Sequence, residues 1–358
     1  VARAADTVAA LLRVSGVAVA KAKAKAKAKA KAEEPDDILD PEDFDALSAE
    51  LLKQLLDATH DLEIEAANKV EAAVAGVDWL ALSAAERDAA LASIIAALPQ
   101  PTAVSSAAAA VLDRTLGPLL YATRAAARAK YGFGLVERVP AELALSASFL
   151  RDAQHLYLSD ALTGRNEALS ALARAIIARG HTDGAQRSLI VEELRDAFGP
   201  EALLRRSSNY FAVVASVFLG NARTYGLLKS YEEAGIEKYR FQAVLDEVTC
   251  EACRFMHGKE FSVASGLAVF ARAASHPDGI KDVNPWLRVG RALTGQRAVF
   301  ITRNGHREIV AYVVRSGTGA LDDPGEFLSP FTDEQLGIMG AATPPLHPSC
   351  RCELLAVL

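Results

Sequence analysis

The four cysteines of this 358-residue chain fall into two short clusters, and no other feature restricts the fold as tightly. Cys250 and Cys253 stand in TCEACRFMHGKEF, and Cys350 and Cys352 stand with His347 in PPLHPSCRC. A C-x-x-C turn places two thiolates on one side of a tight loop, which suits two corners of a zinc tetrahedron. His347 and Cys350, spaced H-x-x-C, can supply the other two corners. Cys352 is a fifth candidate, one more than a four-coordinate ion takes, so it either replaces His347 or stands behind the ligands as a thiol. Disulfides between the pairs, in an oxidising compartment, are a second chemistry for these residues. Unligated thiols packed as small hydrophobes are a third. Two clusters that hold every cysteine in the chain favour zinc.

A catalytic zinc keeps an open position and a general base close by. Zinc deaminases set an H-x-E upstream of their C-x-x-C, and none stands upstream here; H-E-x-x-H is absent altogether. Asp246, Glu247, Glu251, Glu260 and Glu353 lie near the cysteines in sequence, at no spacing that assigns them a role. His257 reads as a residue on the surface of the C-x-x-C turn, and His60, His155, His181, His276 and His306 have no partner cluster. The expected zinc is therefore structural. Cys253 and Cys350 are 97 positions apart, so the metal would close a long loop and pin the C-terminal tail back onto the strand before Cys250. Loop-closure entropy grows slowly with length, whereas structural zinc contributes on the order of 10 kcal/mol or more.

Around this clamp the chain changes character. About half its residues are apolar, enough for a sizeable core, and alanine dominates over aromatic residues, which favours closely packed helices. Residues 21–32 alternate lysine and alanine, and the acidic EEPDDILDPEDFD follows. That alternation offers no apolar helical face, so residues 1–45 read as a solvated charged arm, or as one lying along DNA phosphates or an acidic partner. From about 45 to 235 helices succeed one another. Ser83 and Glu86 form a capping box before a run ending near Leu98. Pro101 and Thr102 open the next helix, which Pro118 should kink or divide. Pro140, Gly180 and Gly199-Pro200 punctuate three more, the longest ending at Gly235. Beyond it KYRFQAVLD has strand composition, and QRAVFITRNGHREIVAYVVRSG reads as a hairpin turning at Asn304-Gly305. The fold expected is mainly α: an N-terminal helical body over 46–200, followed by a small α+β, zinc-clamped C-terminal domain over 201–358. No apolar run approaches the roughly 18 residues of a membrane span. The formal charge of −6 speaks against a dedicated nucleic-acid binder. The expectation is a soluble protein made in a reducing cytoplasm.

The paired motifs resemble the Mu F-like domain of tailed-phage minor head (head morphogenesis) proteins. That pattern runs D-x-x-T-C-x-x-C, then Gly and an aromatic, and closes with P-P-x-H-x-x-C-R-C. Asp246, Thr249, Cys250, Cys253, Gly258 and Phe261 match the first part; Pro344, Pro345, His347, Cys350, Arg351 and Cys352 match the second. The preceding helix, with NARTYG, is also similar, and the likeness covers about 201–358. The stretch between the half-motifs, which holds the hairpin, is longer than is typical of that family. The resemblance implies a non-enzymatic virion component in few copies, bound at the portal vertex inside the capsid and assisting head assembly and DNA packaging or ejection. Its implied partners are the portal protein, a major capsid or scaffolding protein, and packaged DNA through the Lys-Ala arm, with no membrane. The alternative is a zinc-dependent enzyme or toxin acting on nucleic acid.

Overall fold

A computed structural model describes residues 39–79, 81–132, 143, 147–182, 187–277, 280–303, 305–318 and 323–358. The Lys-Ala segment, Pro140 and Asn304 lie outside them. The first described helix, α1 (Pro41–Ala75), begins inside the stretch read above as a charged arm. Asp40 explains the start: its carboxylate accepts the backbone N–H of Glu42 at 2.8 Å, with Pro41 at the first helical position and Glu42 and Asp43 in the first turn. Each is favourable at a helix N-terminus, where donors are unpaired and the dipole is positive.

The other long helices are α2 (Ala84–Ala97), α3 (Pro101–Tyr131), α4 (Ser148–Thr182), α5 (Arg187–Phe198) and α6 (Pro200–Glu233). The capping box is formed: Ser83 accepts from the Glu86 N–H, and the Glu86 carboxylate accepts from the Ser83 N–H at 2.8 Å. Pro118 does not divide α3, which runs through it unbroken. Its neighbours Leu116, Leu119 and Leu120 are buried, and their packing outweighs the one backbone hydrogen bond a proline removes. Gly180 likewise falls within the last turn of α4 rather than ending it. Two stretches, within Ala84–Tyr131 and Ser188–Glu233, are long and apolar enough to cross a membrane by length and composition alone, contrary to the sequence expectation. Alanine-rich helices pass that test readily, and the second stretch is 89% buried within the protein.

Beyond α6 the chain forms two antiparallel sheets. In the first, β1 (Lys238–Gln242) lies between β2 (Glu260–Ser262) and β7 (Glu353–Val357). Tyr239 and Phe241 point inward and Lys238 and Arg240 outward, the period of two that a strand imposes. The second is a meander of β3 (Leu287–Arg291), β4 (Arg297–Arg303), β5 (His306–Ser316) and β6 (Gly325–Leu328). β4 and β5 are the expected hairpin, and Gly305 takes a φ of 74°, as a tight primed turn requires. Short helices α7 (Glu251–Met256), α8 (Val263–Ser275), α9 (Ile280–Val283) and α10 (Asp333–Ile338) connect the strands. The chain is thus mainly helical with a small C-terminal sheet region.

Two compact units emerge, and neither is a single run of sequence. The first comprises Glu50–Val111 and Tyr157–Ala212; the second comprises the described part of Asp36–Ala49 with Leu112–Leu156 and Val213–Leu358. The sequence reading cut at 45/46 and 200/201. The observed division instead passes within α1, α3, α4 and α6, because one long helix serves more than one core. The first unit packs Val70, Trp79, Ile94, Leu169, Leu194 and Phe198 into its centre. It also buries an ion pair: Arg165 donates to Glu63 at 2.8 Å and to Ser207 at 2.6 Å, and Ser207 donates to the same Glu63 oxygen at 2.7 Å.

Candidate metal centre

The five residues singled out in the sequence converge within the second unit. Cys250 is the N-cap of α7 and accepts the Cys253 N–H, so the C-x-x-C forms the first turn of a helix. His347, Cys350 and Cys352 lie on the segment that leads into β7. Two groups of side chains come within ligand distance, Cys250–Cys253–His347 and Cys253–Cys350–Cys352, with Cys253 common to both. His347 Nε2 is 3.1 Å from the Cys250 sulfur and 3.0 Å from that of Cys253, and the Cys253 and Cys350 sulfurs are 3.8 Å apart. A Zn–S bond of about 2.3 Å makes the edge of a thiolate tetrahedron about 3.8 Å, the separation found between Cys253 and Cys350. The S···N separations are about half an ångström shorter than the corresponding mixed edge, so the imidazole would withdraw slightly on taking a metal.

The tautomer of His347 follows from its second nitrogen. Nδ1 lies 2.7 Å from the Pro348 carbonyl, which only accepts, so Nδ1 carries hydrogen and Nε2 faces the thiols. Without a metal, protons fill the ion's role. The Cys253 hydrogen bond, aided by His347 against the effect of burial, lowers Cys250 to about 4. Cys253, which keeps its single proton among the sulfurs of Cys250, Cys350 and Cys352, is pushed up by them and by burial. Cys350 is lowered by its bonds from Cys253 and Cys352. Burial pulls His347 down, but Cys250 and the thiolate charges outweigh it and carry the imidazole to about 9. A metal held by these side chains would replace the shared protons. Soft sulfur and imidazole donors in a mostly buried pocket fit a closed metal site.

The support around the ligands was only partly visible in the sequence. Arg351 pairs with Asp246, joining the two half-motifs a second time. The Asp246 N–H donates to the Thr249 hydroxyl at 2.9 Å, closing the turn that aims Cys250. Burial raises the Asp246 carboxyl, but Thr249 and Arg351 hold it below its usual range. Buried Arg254 donates to the carbonyls of Thr249 at 3.1 Å, Asp246 at 2.7 Å and Asp323 at 2.6 Å. From α6, Arg223 donates to the Cys352 carbonyl at 2.6 Å and stacks on Phe44 at 4.2 Å. Burial lowers its pKa, opposed by the charges of Glu353, Cys350, Cys352 and Asp45. The signal for Arg223 was present: a lone cation in the apolar run SVFLGNARTYGLL needs a buried anion or carbonyl.

α6 also shapes the PPLHPSC segment. A Cβ on Gly220 would come 3.2 Å from the Pro345 ring. Ser349 adopts φ 60°, a region that side chains with a Cβ seldom occupy, and its N–H is held by the Ser216 hydroxyl at 3.1 Å. Gly220→Val should therefore push the His347 segment off α6, at a cost of about 1–3 kcal/mol from overpacking. A lower melting temperature and faster loss of metal to a chelator would be the signs, with Gly220→Ala intermediate.

The remaining candidates lie elsewhere. His257 caps the C-terminus of α7, and its Nδ1 accepts the Ala243 N–H at 3.2 Å. Glu251 pairs with Arg297, Glu260 with Arg240 and Glu353 with Lys130. His306-Arg307-Glu308 does spell H-x-E, downstream of the first cysteine pair. It opens β5, where His306 and Glu308 are exposed and outside both cysteine groups. Comparison of the chain with protein-family models, curated proteins and solved structures finds no match.

Proposed function

We propose that this chain is a non-enzymatic minor head protein of a tailed phage, held at the portal vertex inside the capsid, with a structural zinc ion clamping its C-terminal module. The observation that carries the reading is the closure of D-x-x-T-C-x-x-C upon P-P-x-H-x-x-C-R-C. The ligand-type residues of both half-motifs converge, and so do the non-ligand members Asp246 and Arg351, with Thr249 bracing Asp246 from within the first half-motif. A pattern whose members support one another across 97 positions is more specific than a lone C-x-x-C. Zinc is preferred to other ions because sulfur and imidazole donors in a tetrahedral set suit it and it brings no redox chemistry. The nearby carboxylates Glu251, Glu260 and Glu353 are each engaged in an ion pair, which supports a structural over a catalytic ion. Its partners in this reading are the portal protein, a major capsid or scaffolding protein, and packaged DNA.

The test is to purify the protein without added metal, measure its metal content, and incubate it with isolated portal complexes and with intact heads. One zinc per chain, co-sedimentation with the portal and a few copies per particle are expected. Absence from virions, or hundreds of copies as in a coat, would rule the assignment out. A hydrolytic activity on nucleic acid lost with the metal would turn it toward the enzyme reading.

A further inference from the structure

The second sheet carries a charge pattern opposite to that of the whole protein. Residues 286–318 hold six arginines, no lysine and one carboxylate, Glu308, a formal +5 in a chain whose net charge is −6. Some of these arginines are occupied: Arg297 pairs with Glu251 at 2.9 Å, Arg315 with Asp323 at 2.7 Å, and Arg291 donates to the Gly295 carbonyl at 2.9 Å. Arg288 and Arg307 are exposed, and among the described residues neither is in an ion pair.

The register places these two on one face. Arg288 stands opposite Phe300, and Arg307 opposite Thr302, two positions further along β4. Ala298, on that same face, stands opposite the half-buried Tyr312. The alternate positions Val299 and Ile301, with Leu287 and Ala311, form a buried face; on the other, Ala298 and Phe300 are buried as well, and Arg288, Thr302 and Arg307 are exposed. Arg307 does not trail into solvent. Its guanidinium lies 3.6 Å over the Phe300 ring and reaches across β4 to β3, where its Nη2 is 2.5 Å from the place a Cβ on Gly290 would take. Glycine at 290 thus makes room for a guanidinium laid flat on the sheet.

We propose that this outer face of β3–β5 binds single-stranded nucleic acid, with Arg288 and Arg307 taking backbone phosphates, and with the exposed side of the Arg307 guanidinium, backed by the buried Phe300 ring, and Tyr312 offering planes to unpaired bases. Guanidinium is a planar fork matched to phosphate oxygens, and stacking on an aromatic ring fixes its orientation before the ligand arrives. An acidic peptide would use the charge and leave the planar surfaces idle. A duplex would present its backbone but keep its base faces hidden, whereas single strands are held by this combination of cations and stacking rings. The inference is independent of the head-protein reading, since it rests on the stretch between the half-motifs and on no portal contact.

The test uses the full chain and a fluorescent 20-nucleotide oligodeoxynucleotide, followed by anisotropy across a salt series. An equal-length duplex and poly-glutamate serve as competitors. Arg288→Ala/Arg307→Ala is compared with Arg114→Ala/Arg128→Ala, which removes the same charge from exposed helical positions. Both pairs are made with the natural arm and with its six lysines at 21–32 changed to Gln. Expected is a loss of at least about tenfold in affinity for the sheet variant alone, and a salt dependence shallower by about two charges. Arg307→Lys should recover part of the salt slope but little of the affinity, and circular dichroism should show every variant folded. Wild-type affinity in the sheet variant in both arm backgrounds would overturn the proposal, as would equal losses in the two pairs. Stronger competition by duplex or by poly-glutamate than by the unlabelled single strand would overturn it as well.

Discussion

Cys253→Ser protein is expected to retain no metal and to lose the cooperative melting of its C-terminal sheets, while most of its helical circular dichroism persists. Cys253 is the residue to change because it belongs to both ligand groups and its sulfur stands beside both His347 at 3.0 Å and Cys350 at 3.8 Å, so its loss breaks each group at once. Structural zinc contributes about 10–16 kcal/mol in small modules, more than the total stability of an ordinary domain. The helical unit made of Glu50–Val111 and Tyr157–Ala212 has its own apolar centre and should keep its own transition. Metal analysis and melts followed at helix- and aromatic-sensitive wavelengths decide the matter. Unchanged metal content and melting would refute the clamp. Cys352→Ser then separates the two ligand sets: zinc held at full affinity assigns the fourth position to His347, and zinc lost assigns it to Cys352.

Arg165→Met is expected to do the reverse, destabilising the helical unit and leaving the metal content intact. Arg165 and Glu63 are each about 1% exposed, joined at 2.8 Å with Ser207 bonded to both. Removing one member of such a pair strands the other charge away from water, which costs about 3–5 kcal/mol. Replacing both, as Glu63→Leu/Arg165→Met, should recover most of that loss, since apolar groups of similar volume leave no charge unsolvated. Chemical denaturation of the three variants provides the measurement, and a double variant no more stable than the single one would show that the network does more than neutralise itself.

The two halves of the chain differed in how far they could be read. Local chemistry was legible: the Ser83–Glu86 box, the β4–β5 hairpin and the pairing of cysteine clusters each depend on residues a few positions apart, or on a residue type with few uses. What depended on distant packing was not. Pro118 sits inside an unbroken helix because buried leucines around it hold the helix together. The unit boundaries fall inside helices, where composition does not change, so no linker marks them. Gly220 reads as an ordinary helix glycine until the Pro345 ring is found against it. The roles of Arg223 and Arg254 required knowing which backbone carbonyls would be left without partners around the cysteines, and that is set by the tertiary fold.

The 97 positions between Cys253 and Cys350 also separate two moments in the life of each molecule. At roughly 5–20 residues per second, a ribosome needs about 5–20 s to make the second half of the cluster after the first. During that interval β1 can pair with β2, twenty-odd residues away, but its other edge stays open until β7 exists. Cys250 and Cys253 spend the same seconds as an accessible dithiol on a nascent chain. Alkylation during synthesis should therefore mark these two cysteines selectively, before the second half of the cluster exists to enclose them.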